Sequence, residues 1–319
     1  MLKKAQIYGR YLMNNLVLVL AGFLFSINAF AELSEVKNFG KNPGSLKMFV
    51  YTPKNVKKSA PLVVLLHGCA QSAKQYDDET GFAHMAEKTG AVLLLPEQSS
   101  SNNIQSCFNW FEPGDITRGK GEAASIINMV NHLQEKKIAS KKRVFISGLS
   151  AGGAMSAVML ALYPDKFAGG GLVAGVPFGC ARSMFAGFTC MRSVNKTPEQ
   201  WTSLVKKAFE HRGSYPKVII FQGTSDPFVS PKNANELLEQ WGGLHKASNE
   251  ELVLDNNKIV HKTYKNSKGQ SKVDVVMLKG MSHGHPIDMS SGCGSSGQWV
   301  IDHGVCAAEM MSKFFNLKR

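Results

Sequence analysis

Gly148-Leu149-Ser150-Ala151-Gly152 is the stretch on which the reading of this chain turns. It follows an apolar run, Val144-Phe145-Ile146, and opens a small-residue, helix-prone segment. Strand, tight turn and helix in that order are the setting of a nucleophile elbow, where a serine is held out at the end of a strand. The bare pentapeptide is a common pattern in a chain rich in Gly and Ser, so its meaning rests on its surroundings.

Outward from it, strand-like runs fall at residues 47–51, 62–66, 91–95, 143–147, 171–174, 218–221 and 273–278. Most are continuously apolar, as expected for strands buried on both faces of a parallel sheet. Between them lie helix-period segments. In 121–137, Ala124, Ile127, Val130 and Leu133 recur at steps of three and line one side of a helix. Further helices are expected over 151–163, ended by Pro164, and over 199–211, 233–241 and 305–315. Alternation of this kind predicts an α/β fold with an open, mostly parallel central sheet flanked by helices.

A serine hydroxyl attacks poorly at neutral pH without a histidine base, and that histidine needs an acid to fix its tautomer. After the run 218–221 comes Gln222-Gly223-Thr224-Ser225-Asp226-Pro227, an aspartate just beyond a strand's carboxyl end, where catalytic groups collect. After 273–278 comes Lys279-Gly280-Met281-Ser282-His283-Gly284-His285-Pro286. The order Ser150, Asp226, His283 is that of an α/β-hydrolase triad. Asp255 lies in a polar stretch and Asp274 inside a strand, so both fit the acid's place less well. His285 is restricted by Pro286. A metal site on the two histidines lacks a completing carboxylate or cysteine cluster, and the chemistry requires no metal and no other cofactor.

An oxyanion needs two donors. The N–H of Ala151 is placed by the elbow itself, and His67-Gly68-Cys69, after the run 62–66, offers that of Cys69. Phe108-Asn109-Trp110-Phe111 shows neither helix nor strand period. It reads either as a plug into the core or as an apolar substrate wall, with Trp110 the candidate contact.

Residues 1–31 read as a signal peptide: Lys3, Lys4 and Arg10 precede the apolar run 16–25, and Ala29-Phe30-Ala31 is a cleavage pattern. Ser26 and Asn28 interrupt that run before it reaches the roughly 20 residues that span a bilayer, so no stable membrane anchor is expected after cleavage. Residues 32–319 carry no linker, repeat or low-complexity tract and read as one catalytic domain. Cleavage lowers the formal charge from +13 to +10. Lys136, Lys137, Lys141, Lys142 and Arg143 fall where a helix should end and read as a solvated helix terminus with weak attraction to anionic envelopes or polyanions. No aromatics interleave with them, which argues against a nucleic-acid partner. In an exported chain the six cysteines suit three disulfides. Sequence proximity favours Cys180–Cys190 and Cys293–Cys306, leaving Cys69 for Cys107. The sequence carries no indication of oligomeric state.

Taken together, His67-Gly68-Cys69, Cys107-Phe108-Asn109-Trp110-Phe111, the elbow with Gly153, Gly280-Met281-Ser282-His283-Gly284, Leu94-Leu95-Pro96-Glu97-Gln98, Gly121-Glu122-Ala123-Ala124-Ser125 and Ala174-Gly175-Val176-Pro177-Phe178-Gly179-Cys180 resemble the poly(3-hydroxybutyrate) depolymerase-type esterases over residues 45–316. The resemblance implies a secreted serine esterase of the α/β-hydrolase fold, with Ser150 as nucleophile, Asp226 as acid and His283 as base. It implies poly(3-hydroxyalkanoate) or its oligomers as partner. Feruloyl and acetyl-xylan esterases belong to the same broad group and keep a carbohydrate-linked ester open. A non-catalytic secreted binding protein on the same fold is the reading from another class.

Overall fold

The runs that are apolar without interruption become the parallel centre of one large sheet. In the computed structural model, which describes residues 32–317, the strands are β1 (Leu33–Glu35), β2 (Lys47–Tyr51), β3 (Ala60–Leu66), β4 (Val92–Glu97), β5 (Ala139–Leu149), β6 (Gly169–Val173), β7 (Lys217–Gly223), β8 (Asn249–Asp255), β9 (Ile259–Lys265) and β10 (Ser271–Leu278). They order as β1-β2-β4-β3-β5-β6-β7-β10-β9-β8. From β4 through β10 the pairings are parallel, and both ends of the sheet are antiparallel. A small parallel pair, β11 (His285–Ile287) and β12 (Val300–Asp302), lies apart from it. The leader expected over residues 1–31 lies outside the described residues.

Every residue of β3 is buried, and alternate side chains enter different cores. Leu62, Val64 and Leu66 join one cluster with α3 (Gly121–Glu135) and α4 (Ala151–Leu162), while Val63 and Leu65 join the other with α1 (Ala73–Glu79), α2 (Phe82–Thr89) and α8 (Ala307–Phe315). Helices α5 (Met184–Met191), α6 (Pro198–Ala208) and α7 (Lys232–His245) complete the first face. The period-two geometry of a strand sends neighbours to opposite faces, so an uninterrupted apolar run serves two layers.

Several elements differ from the sequence reading. No strand was expected between 221 and 273, yet β8 and β9 form an antiparallel hairpin there. All of β8 is exposed, so its sequence carried no burial pattern to read. Its acids are instead matched across the ladder: Lys262 meets Glu250 at 2.6 Å, and Lys265 pairs with Glu251. Asp274, in β10, accepts from Thr263 Oγ1 at 2.7 Å and from Ser271 Oγ at 2.8 Å and lies 2.9 Å from His261 Nε2.

The basic cluster is also placed differently. Helix α3 stops at Glu135, and only Lys136 and Lys137 follow it directly; Lys141, Lys142 and Arg143 belong to β5 rather than to a helix end. Ala60 pairs with Ala139 and Leu62 with Val144, so residues 140–143 bulge opposite Pro61. Proline has no N–H for the ladder, which is the physical reason that pairing breaks there. Ser140 Oγ takes the freed N–H groups of Lys142 and Arg143 at 3.2 and 3.1 Å.

Candidate active site

The register brings the carboxyl ends of four neighbouring strands level: Leu149 lies beside Val173, Val173 beside Phe221, and Phe221 beside Val276. The loops that leave this edge are stitched together through the backbone. Ser150 N–H donates to Val173 at 2.9 Å, Thr224 to Leu278 at 2.9 Å, and Ser225 to Met281 at 3.0 Å.

Ser150 sits between β5 and α4 at φ 56°, ψ −115°, a conformation costly for any side chain except glycine. Two glycines make room for the bend. A Cβ on Gly152 would lie 2.1 Å from the Leu66 carbonyl oxygen, and one on Gly148 would lie 2.4 Å from the Gly152 backbone. The contacts are backbone on backbone, so no rotamer change relieves them. Gly152→Ala is therefore expected to lower stability by more than about 3 kcal/mol or to prevent folding, read as soluble yield and denaturation midpoint.

His283 and Asp226 are joined by a 2.7 Å bond from Nδ1 to Oδ2, both side chains being nearly or fully buried. The rest of the carboxylate is filled as well. Oδ1 accepts from the backbone N–H groups of Phe228 and Val229, each at 2.9 Å, and Oδ2 accepts from Gln222 Nε2 at 3.1 Å. Burial pushes the Asp226 carboxyl up, but His283 and these N–H donors outweigh it and hold it below the usual carboxylate range. An ionised, fully satisfied Asp226 can only accept. It therefore fixes the proton of neutral His283 on Nδ1 and leaves Nε2 as an acceptor. Phe228 and Trp299 stand edge-on to the His283 ring, at 5.4 and 5.9 Å, and screen the pair. Among the described residues the Ser150 hydroxyl has no hydrogen-bond partner.

His285 points elsewhere. It is fully buried between Tyr76 and Phe82, its Nε2 has no partner, and burial holds its pKa down at about 3.

The loop after β3 is oriented by His67, Gln98 and Gln71, to none of which the sequence reading gave a role. His67 Nε2 accepts from the Gln98 N–H at 3.1 Å, so its proton lies on Nδ1 and goes to the Gly68 carbonyl at 2.7 Å. In a trans peptide C=O and N–H point in opposite directions, so the Cys69 N–H faces away from His67. Gln71 Oε1 holds the Gly68 N–H at 2.8 Å. Among the described residues neither the Cys69 nor the Ala151 N–H has an acceptor, and both residues line one cavity with Ser150. That cavity measures about 740 Å³. Its lining combines polar side chains, Asn102, Asn103, Gln105 and Asn109, with the aromatics Trp110, Phe111 and Phe188.

The aromatic loop divides the two roles considered for it. Phe108 is fully buried against His67, whereas Trp110 lies in the cavity wall, edge-on to Phe111 at 5.3 Å. Cys69 is bonded to Cys107, which ties this loop to the one after β3, and Ala70 N–H donates to Gln105 at 2.7 Å alongside. The other bonds are Cys180–Cys190, at the start and end of the segment carrying α5, and Cys293–Cys306.

Glu122 anchors the same wall from beneath. It accepts from Gln98 Nε2 and, at 2.9 Å, from the Asn109 N–H. Burial, with Asp115 adding, raises its pKa from 4.5 to about 8. Unfolding returns it to the ordinary value, so the stabilisation is full below pH 4.5 and is lost as pH rises towards 8. The urea midpoint of Glu122→Gln is therefore expected to vary less with pH across that window than that of the parent. An equal slope in both proteins would remove this assignment.

The sequence profile of the family described as Esterase PHB depolymerase matches residues 46–248. The chain belongs to that family. Among its relatives, poly(3-hydroxyalkanoate) depolymerase C of Paucimonas lemoignei is 42% identical over 291 residues, covering 89% of this chain and 70% of that protein. Feruloyl esterase B of Thermothelomyces thermophilus is 33% identical, over 67% of this chain and 75% of that protein. An acetyl xylan esterase from Aspergillus awamori superposes with a TM-score of 0.74 over 90% of this chain and 99% of that chain, at 24% identity. This family member has the α/β-hydrolase fold, with a mostly parallel sheet flanked by helices. Among the described residues no helix is long and apolar enough to cross a membrane, and no group of His, Cys, Asp and Glu could hold a metal.

Proposed function

We propose that the protein is an exported serine esterase that hydrolyses the ester bonds of poly(3-hydroxyalkanoate) or its oligomers through Ser150, His283 and Asp226. His283 Nε2 takes the Ser150 proton as the hydroxyl oxygen attacks the ester carbonyl. The N–H groups of Cys69 and Ala151 hold the oxyanion. Collapse breaks the acyl–oxygen bond, the alcohol leaves with the proton from His283, and a 3-hydroxyacyl group remains on Ser150. Water, deprotonated by His283, then attacks that ester; the bond from the acyl carbon to Ser150 Oγ breaks, His283 returns the proton to Oγ, and the acid is released.

The observation that carries this reading is the filled Asp226–His283 pair on the same sheet edge as an elbow serine in a strained conformation. The 42% identical depolymerase supports the polyester substrate, and the three disulfides fit an oxidising compartment. The polar residues in the cavity lining and the feruloyl and acetyl-xylan esterase relatives favour a second reading, an ester on a carbohydrate. A panel of 3-hydroxybutyrate oligomers, methyl ferulate and acetylated xylan separates the two. The polyester reading expects kcat/KM at least about tenfold higher on the oligomers, that is, ~1.4 kcal/mol of transition-state preference. A preference for methyl ferulate or acetylated xylan would replace it.

A further inference from the structure

The amino-terminal edge of the sheet, opposite the catalytic loops, carries a second organised surface. Two loops meet there. Ser59 N–H donates to the Lys137 carbonyl and Ala60 N–H to that of Ile138, each at 3.0 Å, so residues 56–58 lie beside 136–138. Each loop combines two lysines with one exposed aliphatic side chain: Val56 with Lys57 and Lys58, Ile138 with Lys136 and Lys137. Next to them the bulge of β5 turns Lys141 and Lys142 outward, and Arg143 joins Lys57 and Lys58 around a cavity of about 220 Å³ with no acidic residue in its lining. Among the described residues none of these seven cations has a carboxylate partner in an ion pair. Glu135 is the exposed acid at the end of α3 beside them.

We propose that this edge is a docking surface for an anionic phospholipid bilayer. Unpaired lysines attract any polyanion, but the two exposed aliphatics set among them are the feature that selects a lipid surface. An aliphatic tip gains by entering the headgroup boundary, while the long lysine side chains reach phosphates around it. Against a soluble polyanion, Val56 and Ile138 would gain nothing. β3 spans the sheet between the two edges, a distance of about 20 Å at the usual rise for its seven residues. A bilayer on the lysine edge therefore leaves the Ser150 cavity facing away, open to substrate from solution. The proposal does not depend on which ester the site hydrolyses.

The test is cosedimentation of the purified protein with vesicles, read as the increment that phosphatidylglycerol adds over pure phosphatidylcholine and compared between the parent and its variants, so that any contribution of the leader is common to both. Each basic residue close to an anionic surface strengthens partition by about fivefold. Reversing four of them together (Lys57→Glu, Lys58→Glu, Lys141→Glu and Lys142→Glu) is expected to weaken the increment at least about a hundredfold, with turnover of a short soluble ester unchanged. Added salt weakens it in the parent. The pair Val56→Ser and Ile138→Ser is expected to weaken binding to phosphatidylglycerol vesicles several-fold while retention on heparin stays the same. Equal increments in the parent and the charge-reversed protein overturn the proposal. So does heparin retention without binding to phosphatidylglycerol vesicles, which would assign the edge to a soluble polyanion.

Discussion

Ser150→Ala is expected to lower kcat on a short p-nitrophenyl ester by about 10⁵- to 10⁶-fold, leaving only the residual rate that binding and oxyanion donors supply. The size of the effect follows from the chemistry proposed. Without Oγ no acyl-enzyme forms, and His283 can at best activate water from a position evolved for a hydroxyl. Folding should be preserved, because Ser150 Oγ makes no hydrogen bond within the described chain and alanine meets the same positive φ that serine does. The thermal midpoint is therefore expected to stay within about 0.5 kcal/mol equivalent of the parent. A fluorophosphonate probe should label the parent at Ser150 and fail to label the variant. Retained turnover within about a hundredfold would end the covalent mechanism. Lack of labelling in the parent would favour a binding protein on a hydrolase fold.

Asp226→Asn is expected to cost about 10⁴-fold in kcat near neutral pH through a single proton in the wrong place. The orientation of the new amide is not free. The N–H groups of Phe228 and Val229 both donate to Oδ1, so the amide oxygen must stay there and its NH₂ must take the place of Oδ2. That NH₂ then faces His283 Nδ1, which can meet it only as an acceptor. The histidine proton moves to Nε2, and the base that should receive the Ser150 proton already carries one. Gln222 Nε2, which donates to Oδ2 in the parent, is left facing another donor, adding about 1–3 kcal/mol of instability. The discriminating measurement is kcat against the denaturation midpoint in the same sample. A loss of activity under about tenfold, with the fold intact, would show that Asp226 does not set the tautomer.

How much of this could be read from the sequence depends on where each signal resides. The elbow was legible because its glycines answer a steric demand that is local in sequence, a few residues around one bend. Asp226 and His283 were candidates because each follows an apolar run, and parallel strands present all their carboxyl ends at one edge. Gln222, Gln71 and Glu122 carried no such mark. A glutamine or glutamate in a sequence looks the same whether it is solvated or buried. Only packing shows that Gln222 fills an Asp226 lone pair, or that Glu122 holds the Asn109 N–H under the cavity wall. The hairpin of β8 and β9 was missed for the converse reason: an edge strand exposed on both faces has no burial period, and its support comes from cross-strand ion pairs.

The sequence by itself determined the alternation of strands and helices, the elbow, and a short set of candidates for acid and base, because apolar runs and tight bends are written in consecutive residues. Tertiary structure decided what depends on partners distant in the chain. It drew His283 to an Asp226 fifty-seven residues away and turned His285 into the core. It also moved Lys141, Lys142 and Arg143 from a supposed helix end to a bulge opposite Pro61. A side chain's proton, charge and direction are fixed by what lies across from it, and the register of the sheet, which no single segment encodes, supplies that neighbour.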